Sequence, residues 1–214
     1  MQLYNKLSAH ERSEMLEKTS NKRVTLSFYK YAHIENPRLF RDHLFLSWDP
    51  LKVLGRIYVA KEGINAQLSL PANQIEAFKM HLETISFLKG VRLNIAIEDN
   101  LKSFLKLTIK VRQKIVADGL EDNKFDVTQK GTHVNAIEFN NLLDNKNTIC
   151  VDMRNHYESE IGHFKNAITP DVDTFRESLP IIEKNLSQYK ENRNILMYCT
   201  GGIRCEKASA YFRY

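Results

Sequence analysis

The most constraining feature of the sequence is an apolar run that leads directly into a cysteine and two glycines. Residues 195–198 have the composition of a buried strand, and the helix-forming residues 206–210 follow shortly after. A cysteine on such a turn lies where backbone N–H groups converge and the helix dipole is positive, which favours the thiolate. We therefore expect Cys199 to be a reactive thiol; the alternative is a buried structural cysteine. The loop expected to cradle an anion on its sulfur consists of Thr200, Gly201, Gly202, Ile203, Arg204 and Cys205.

The residues before this loop predict an α/β unit over residues 133–214. Helices are expected at 137–143 and 173–186, and strands at 148–152 and 194–198. Asp152 and Arg154, at the end of the first of these strands, are predicted to brace the cysteine loop rather than to react. The polar, turn-rich residues 117–132 have no apolar periodicity and are predicted to be a linker.

The first half of the chain predicts a different architecture. After a short amphipathic lead-in helix over residues 1–20, strands and helices alternate in the order βαββαβ across residues 21–116. This order is typical of a ferredoxin-like α+β sandwich with both helices on one face of the sheet. The strands are expected at 24–29, from 57, at 64–70 and at 91–97, and the helices at 37–48 and 72–85.

In residues 105–116, apolar residues occupy most odd positions and basic residues occupy most even positions. A strand there would place its cations on one side, and no acidic residue occurs between Asn100 and Ala117. Two interpretations remain open: an edge strand whose lysines oppose aggregation, or a surface that binds phosphates. The basic residues are Lys106, Lys110, Arg112 and Lys114.

The side of the predicted sheet that carries no helix combines aromatic, basic and amide side chains. Such a face suits base stacking and phosphate pairing in single-stranded RNA, or else it packs on the second unit. From the RNA interpretation we single out Tyr29, Tyr31 and Arg56 together with the four basic residues above. The whole predicted face consists of Tyr29, Tyr31, Arg56, Tyr58, Asn65, Gln67, Arg92 and Asn94.

Composition is that of a globular protein with an uneven charge. Hydrophobic residues make up 43% of the 214 residues and charged residues 27%, which excludes a disordered or collagen-like chain. The net charge of +5 lies in the first half: 20 Lys and Arg face 14 Asp and Glu through Lys124, against 11 and 12 afterwards. No apolar run approaches the ~18 residues of a membrane span, and three cysteines favour a reducing compartment, so a cytoplasmic location is expected.

Several separate segments resemble one known family. Residues 199–204 resemble the active-site loop of rhodanese domains, and residues 151–158 and 162–167 resemble the strand and turn that precede it. Residues 198–208, with 27–31, 62–67 and 110–112, are similar more specifically to the rhodanese-containing tRNA uridine hydroxylases. The resemblance implies oxygen-dependent hydroxylation of the wobble uridine to 5-hydroxyuridine. It also implies Cys199 as the essential cysteine, the tRNA anticodon arm as partner and molecular oxygen as co-substrate. No metal or organic cofactor is evident in the sequence.

Other interpretations remain beside this one. The cysteine loop alone is equally typical of a sulfurtransferase that carries a persulfide on Cys199, and a non-catalytic binding module is a third possibility. His156, Glu158 and His163 have the residue types of an iron site, but their spacing within one short turn fits it poorly. The resemblance also implies that a complete rhodanese fold adds a strand and a helix after residue 214, so the C-terminal unit is expected to be incomplete.

Overall fold

The computed structural model describes residues 8, 10–11, 14, 22–97, 104–121, 124–189 and 194–213. The described chain divides into two compact units, with the division between Ile115 and Val116. The lead-in helix predicted over residues 1–20 lies outside the described residues, apart from four isolated positions. None of the helices in the described ranges has the length and apolar character that crossing a lipid bilayer requires.

The first unit contains a five-stranded sheet in the order β4-β1-β3-β2-β5. The first four strands are antiparallel in the predicted ferredoxin-like order, and β5 runs parallel to β2 at the edge. Helices α1 (Pro37–Trp48) and α2 (Ile75–Thr84) contribute to its core. The strands are β1 (Arg23–Tyr31), β2 (Leu54–Ala60), β3 (Gly63–Pro71), β4 (Asn94–Ile95) and β5 (Leu107–Val111).

Alternation along β1 separates the two faces of this sheet. Leu26 and Phe28 are buried against the helices, and the Phe28 ring lies 6.4 Å from those of Trp48 and Phe78. The tight connection from β2 to β3 requires glycine at position 63, because φ is 145° and a Cβ there would lie 2.1 Å from the Lys30 carbonyl oxygen. This turn fixes the register of β2 against β3, and with it the residues that share the helix-free face.

One predicted strand of this unit is shorter than expected. The prediction over residues 91–97 is wrong in extent, because only Asn94 and Ile95 form β4. Among the residues that the structure describes, this strand pairs with β1 alone, at Leu26 and Ser27, so no described strand stabilises it from the other side. The side chain of Ile97 is fully exposed, so the last apolar residue of the predicted strand does not pack in the core.

The second unit is an α/β layer built on two parallel strands. Strands β6 (Thr148–Asp152) and β7 (Asn194–Tyr198) pair in parallel, and Ile168 forms a parallel bridge to Val151. Phe175, Leu179 and Ile182 of α5 pack on this layer with Val151 and Met153. The helices are α3 (Ala136–Leu143), α4 (His156–Ser159), α5 (Phe175–Leu186) and α6 (Ile203–Phe212). The predicted elements at 137–143, 148–152, 173–186 and 194–198 therefore lie within two residues of those observed.

The segment predicted as a linker packs within the second unit. Asp118 and Val127 are buried, and the Lys207 ammonium of α6 lies 3.1 Å from Oδ2 of Asp118. The backbone N–H of Gly131 donates to the Ser209 hydroxyl at 3.0 Å. Polar residues in this stretch thus bind residues of α6. Composition alone does not distinguish such buried polar residues from polar residues that face the solvent.

Candidate active site

Cys199 follows β7 directly and begins the loop that leads into α6. Gly202 ends the loop with φ at 89°, a left-handed conformation that residues with a Cβ rarely adopt. This turn directs the Gly202 backbone N–H at the Cys199 sulfur, with a distance of 3.1 Å. The predicted arrangement of strand, cysteine, glycine and helix is therefore present, and Cys199 is partly exposed.

The loop lowers the pKa of Cys199 to about 5. The Cys205 thiol, which donates a hydrogen bond to the Cys199 sulfur, has the largest effect, and burial opposes it. The backbone N–H groups of Cys205 and Gly202 and the charge of Arg204 lower the pKa further. Cys199 is consequently a thiolate at neutral pH, the nucleophilic form of cysteine.

The other two cysteines are thiols at neutral pH. Burial raises the pKa of Cys150 to about 11, with a further contribution from the charge of Asp152. The pKa of Cys205 lies well above its usual range, because its proton is shared with the Cys199 thiolate and because it is buried. Only one of the three cysteines is therefore poised to react.

Glu158 holds Arg204 and the loop in place from α4. Its carboxylate accepts hydrogen bonds from Arg204 Nη1 at 2.7 Å, from Arg204 Nη2 at 2.9 Å and from the Thr200 hydroxyl at 2.7 Å. The Arg204 hydrogen bonds are the main cause that lowers the pKa of Glu158 to about 2; partial burial opposes them, and Thr200 adds to them. The sequence pattern indicated Glu158 as a candidate iron ligand and did not predict its pairing with Arg204. A capping box with Asn155 was the one local signal for its position.

The residues predicted to brace the loop form a network around a fully buried carboxylate. Asp152 accepts a hydrogen bond at 2.7 Å from Arg154 Nη2 and another at 2.7 Å from the Tyr198 hydroxyl. Burial raises the pKa of Asp152, but the hydrogen bonds from Arg154 and Tyr198 outweigh it and keep the carboxylate ionised. Arg154 also donates to the Gly162 carbonyl oxygen at 2.6 Å. The network therefore holds the residue before Cys199 and the turn around Gly162.

A pocket of about 380 Å³ lies beside Cys199. This volume is within the ~300–1,000 Å³ typical of small-molecule sites. The Phe164 ring forms one wall and meets the Tyr198 ring edge to face at 4.8 Å. Residues held by the Asp152 network and by the Glu158 network also line the pocket. The full lining consists of Arg154, Gly162, His163, Phe164, Tyr198, Cys199 and Thr200.

The two histidines of the candidate iron site, His156 and His163, have separate partners. His156 Nδ1 lies 3.1 Å from Asp173 and 3.3 Å from the Val172 carbonyl oxygen. His163 Nδ1 lies 3.1 Å from the Ser159 carbonyl oxygen. The carboxylate of Glu158, the third residue of the candidate iron site, is hydrogen-bonded to Arg204 and Thr200.

The helix-free face of the first sheet brings several of the predicted RNA-binding residues together. Strand register aligns Tyr29, Asn65, Tyr58 and Lys110 in one row across four strands. Arg56 occupies the next row of β2, beside Thr108. The alternation predicted for the basic segment is therefore present in β5, with Lys110 on the same face as the tyrosines.

The remaining predicted residues lie at the margins of this face. Arg112 follows β5 and its guanidinium lies 5.6 Å from the centre of the Tyr58 ring. Tyr31 ends β1 and is buried, with its ring 6.1 Å from that of Tyr29. Lys106 immediately precedes β5, and its carbonyl oxygen accepts a hydrogen bond from the Gly55 backbone N–H of β2 at 2.9 Å, whereas Lys114 follows the strand.

Each of the two units matches a model of a known protein family. Residues 23–115 match the family model described as the UPF0176 acylphosphatase like domain, and residues 135–214 match the rhodanese-like domain. These matches confirm the predicted α+β fold class and the predicted rhodanese resemblance.

Two similar proteins are both named tRNA uridine(34) hydroxylase. The protein from Leptospira interrogans (strain 56601) is 55% identical over 199 residues, which cover 93% of this chain and 54% of the relative. The protein from Photorhabdus laumondii subsp. laumondii is 51% identical over 210 residues, which cover 98% of this chain and 59% of the relative. The chain thus spans about half the length of the curated relatives it matches. The chain therefore contains a segment that matches the UPF0176 acylphosphatase like domain, followed by a segment that matches the rhodanese-like domain.

Proposed function

We propose that this protein hydroxylates the wobble uridine of tRNA to 5-hydroxyuridine, with molecular oxygen as co-substrate and Cys199 as the nucleophile. The observation that carries the proposal is the Cys199 thiolate, with a pKa of about 5, at the edge of an aromatic-walled pocket. The names of relatives at 51–55% identity support the same substrate and reaction.

The thiolate supplies the step that uracil C5 needs before it can react with oxygen. Attack of the Cys199 sulfur on C6 forms an S–C6 bond and moves the C5–C6 π electrons onto C5 and O4, which makes C5 nucleophilic. One atom of oxygen then bonds to C5 and the other leaves as water, with two electrons and two protons from an external reductant. Loss of the C5 proton and of the sulfur restores the double bond and the thiolate. The loop donors that stabilise the thiolate also make it a good leaving group.

The basic face of the first sheet is the proposed contact for the anticodon arm. Tyr29 and Tyr58 offer rings for base stacking, and Lys110 lies in the same row for phosphate pairing. Arg112 next to Tyr58 adds a second cation. Arg56, Lys106 and Lys114 complete the proposed RNA-binding set. Tyr31, predicted together with them, is buried and therefore does not belong to this surface.

The RNA interface is tested by reversing one charge on each side of this sheet. Lys110→Glu is expected to weaken tRNA binding and to reduce the slope of log affinity against log salt by ~1. The control is Lys79→Glu in α2, on the helical side, which is expected to leave both quantities near the native values. Equal effects of the two variants would remove the helix-free face from the proposal.

The activity is tested by nucleoside mass spectrometry of bulk tRNA from a strain that lacks the gene. Complementation with the native gene is expected to restore 5-hydroxyuridine and its derivatives, whereas Cys199→Ala is expected to restore none. Retention of full activity by Cys199→Ser would exclude the thiolate mechanism. An unchanged nucleoside profile together with turnover of thiosulfate would instead establish a sulfurtransferase.

A further inference from the structure

The backbone on both sides of His163 is anchored to one buried carboxylate. Arg154 donates to the Gly162 carbonyl oxygen at 2.6 Å, and the Phe164 backbone N–H donates to the Tyr198 hydroxyl at 3.2 Å. Arg154 and Tyr198 both donate in turn to Asp152, which is fully buried. A charged network of this kind fixes the position of what it holds, and here it holds the turn that carries His163.

The hydrogen bond at Nδ1 decides which nitrogen of His163 is available to a ligand. Nδ1 lies 3.1 Å from the Ser159 carbonyl oxygen, which can only accept, so Nδ1 carries the proton in the neutral ring. Nε2 then has a free lone pair and acts as an acceptor. Within the described part of the chain, no protein donor lies within hydrogen-bonding distance of this nitrogen.

The same pocket offers a flat surface next to the thiolate. His163, Phe164 and Cys199 all line it. The Phe164 side chain is 40% exposed, although its ring also packs at 4.9 Å from Phe139 and at 4.8 Å from Tyr198. A rigid aromatic ring that remains accessible from the pocket is suited to stacking with a planar base.

We infer that His163 is a specificity-determining residue, whose Nε2 accepts the N3–H of a uracil stacked on Phe164 with its C6 presented to Cys199. This inference rests on the proposed function and names the group that distinguishes the substrate base. Uracil carries a proton on N3, whereas cytosine carries a lone pair there. Cytosine would therefore place two acceptors against each other, so the site selects uracil.

The test compares two anticodon stem–loop RNAs that differ only in having U or C at the wobble position. Because phosphate contacts are the same in both, the ratio of their dissociation constants at one salt concentration isolates the base. The native protein is expected to prefer U by about tenfold, the size of one hydrogen bond between neutral groups. His163→Asn keeps a donor for the Ser159 carbonyl but has no group at the Nε2 position, and its ratio is expected to fall within about twofold of one.

Phe164→Leu is the matched control, since base stacking does not depend on which pyrimidine is bound. It is expected to weaken binding of both RNAs and to leave their ratio unchanged. Alkylation of Cys199 at pH 6 by iodoacetamide verifies that each variant retains the folded loop. A native protein without preference for U, or a His163→Asn variant that keeps the preference, would overturn the inference. Hydroxylation of the U-containing RNA by the native protein, measured separately, decides whether the proposed function stands in either case.

Discussion

The hydrogen bond from Cys205 to Cys199 leads to a quantitative prediction about the reactive thiolate. In the Cys205→Ala variant this donor is lost, while the Gly202 N–H, the backbone N–H of residue 205 and Arg204 remain. A hydrogen bond to a charged group contributes ~1.5–3 kcal/mol, and one pKa unit corresponds to ~1.4 kcal/mol. The pKa of Cys199 is therefore expected to rise by ~1–2 units, from about 5 to ~6–7.

The pKa is measured from the rate of alkylation by iodoacetamide between pH 4 and pH 9, with the product located by mass spectrometry. Below pH 8 the modification is expected at Cys199 alone, because the pKa of Cys150 is about 11 and that of Cys205 is well above its usual range. At pH 6 the thiolate fraction falls from ~0.9 in the native protein to ~0.1–0.5 in the variant. The higher intrinsic nucleophilicity of a more basic thiolate offsets part of this loss in rate but does not move the midpoint.

Cys205→Ser provides the control, since a hydroxyl at this position still donates to the Cys199 sulfur. Its midpoint is expected to lie closer to that of the native protein than to that of Cys205→Ala. Cys199→Ser should remove the modification at position 199, and mass spectrometry separates it from any modification of Cys205, whose raised pKa depends chiefly on Cys199. If Cys205→Ala and the native protein have the same midpoint, the backbone N–H groups and Arg204 are sufficient, and the role assigned to the Cys205 thiol is refuted.

Three further predictions concern residues that position the site or stabilise each unit. Glu158→Gln removes the charge that pairs with Arg204 and is expected to cost ~1–2 kcal/mol in the free energy of unfolding at pH 7. Because the folded pKa of Glu158 is about 2, the stabilisation from its ionised carboxylate is present above the usual pKa of 4.5 and is lost as the pH falls towards 2. Acid titrations followed by circular dichroism should therefore show a weaker dependence of stability on pH in the variant. Burial, with a contribution from His43, lowers the pKa of His81, so the first unit is expected to lose stability as the pH falls below 6.5, where the unfolded state binds more protons. The single tryptophan, Trp48, donates to His81 Nδ1 at 3.0 Å, so its fluorescence during urea unfolding reports the stability of the first unit. The dependence of the unfolding free energy on pH should be weaker in His81→Asn. Asp118→Asn removes the carboxylate charge that pairs with the buried ammonium of Lys207 and is expected to destabilise the second unit by ~3–5 kcal/mol. Hydrogen exchange of α6 measures this loss of stability. A near-neutral effect of the double variant Asp118→Leu with Lys207→Met would support the pairing.

The parts of the site that were predictable from the sequence are those encoded within a few consecutive residues. The apolar run of residues 195–198, the glycines and the helix formers that follow specify a strand, a turn and a helix without reference to distant residues. The positive φ of Gly202 is the structural counterpart of that local pattern. The alternation in residues 107–111 likewise predicts the faces of β5, because side chains in a strand alternate with a period of two.

The parts that were not predictable depend on pairs of residues far apart in the chain. Glu158 and Arg204 are 46 residues apart, as are Asp152 and Tyr198. No local periodicity indicates which carboxylate will pair with which donor, and so the pairing of Glu158 in α4 with Arg204 of the loop could not be foreseen. The parallel placement of β5 beside β2 has the same origin, since alternation determines the face of a strand but not its neighbour.

The charges around Cys199 favour an uncharged ligand in its pocket. The Cys199 thiolate, Glu158 and Asp152 are three anions at neutral pH, and Arg154 and Arg204 are the two cations paired with those carboxylates. Since each guanidinium is already bound to a carboxylate, the thiolate charge is stabilised chiefly by a neutral thiol and by N–H groups. A dianion such as thiosulfate would add charge to a site with an excess of anions, whereas a uracil base adds none. In the proposed function, the phosphates of an RNA are instead matched by the cations of the first unit, where Lys110 and Arg112 are exposed. The proposal therefore assigns chemistry on a neutral base and retention of a polyanion to different units of the chain.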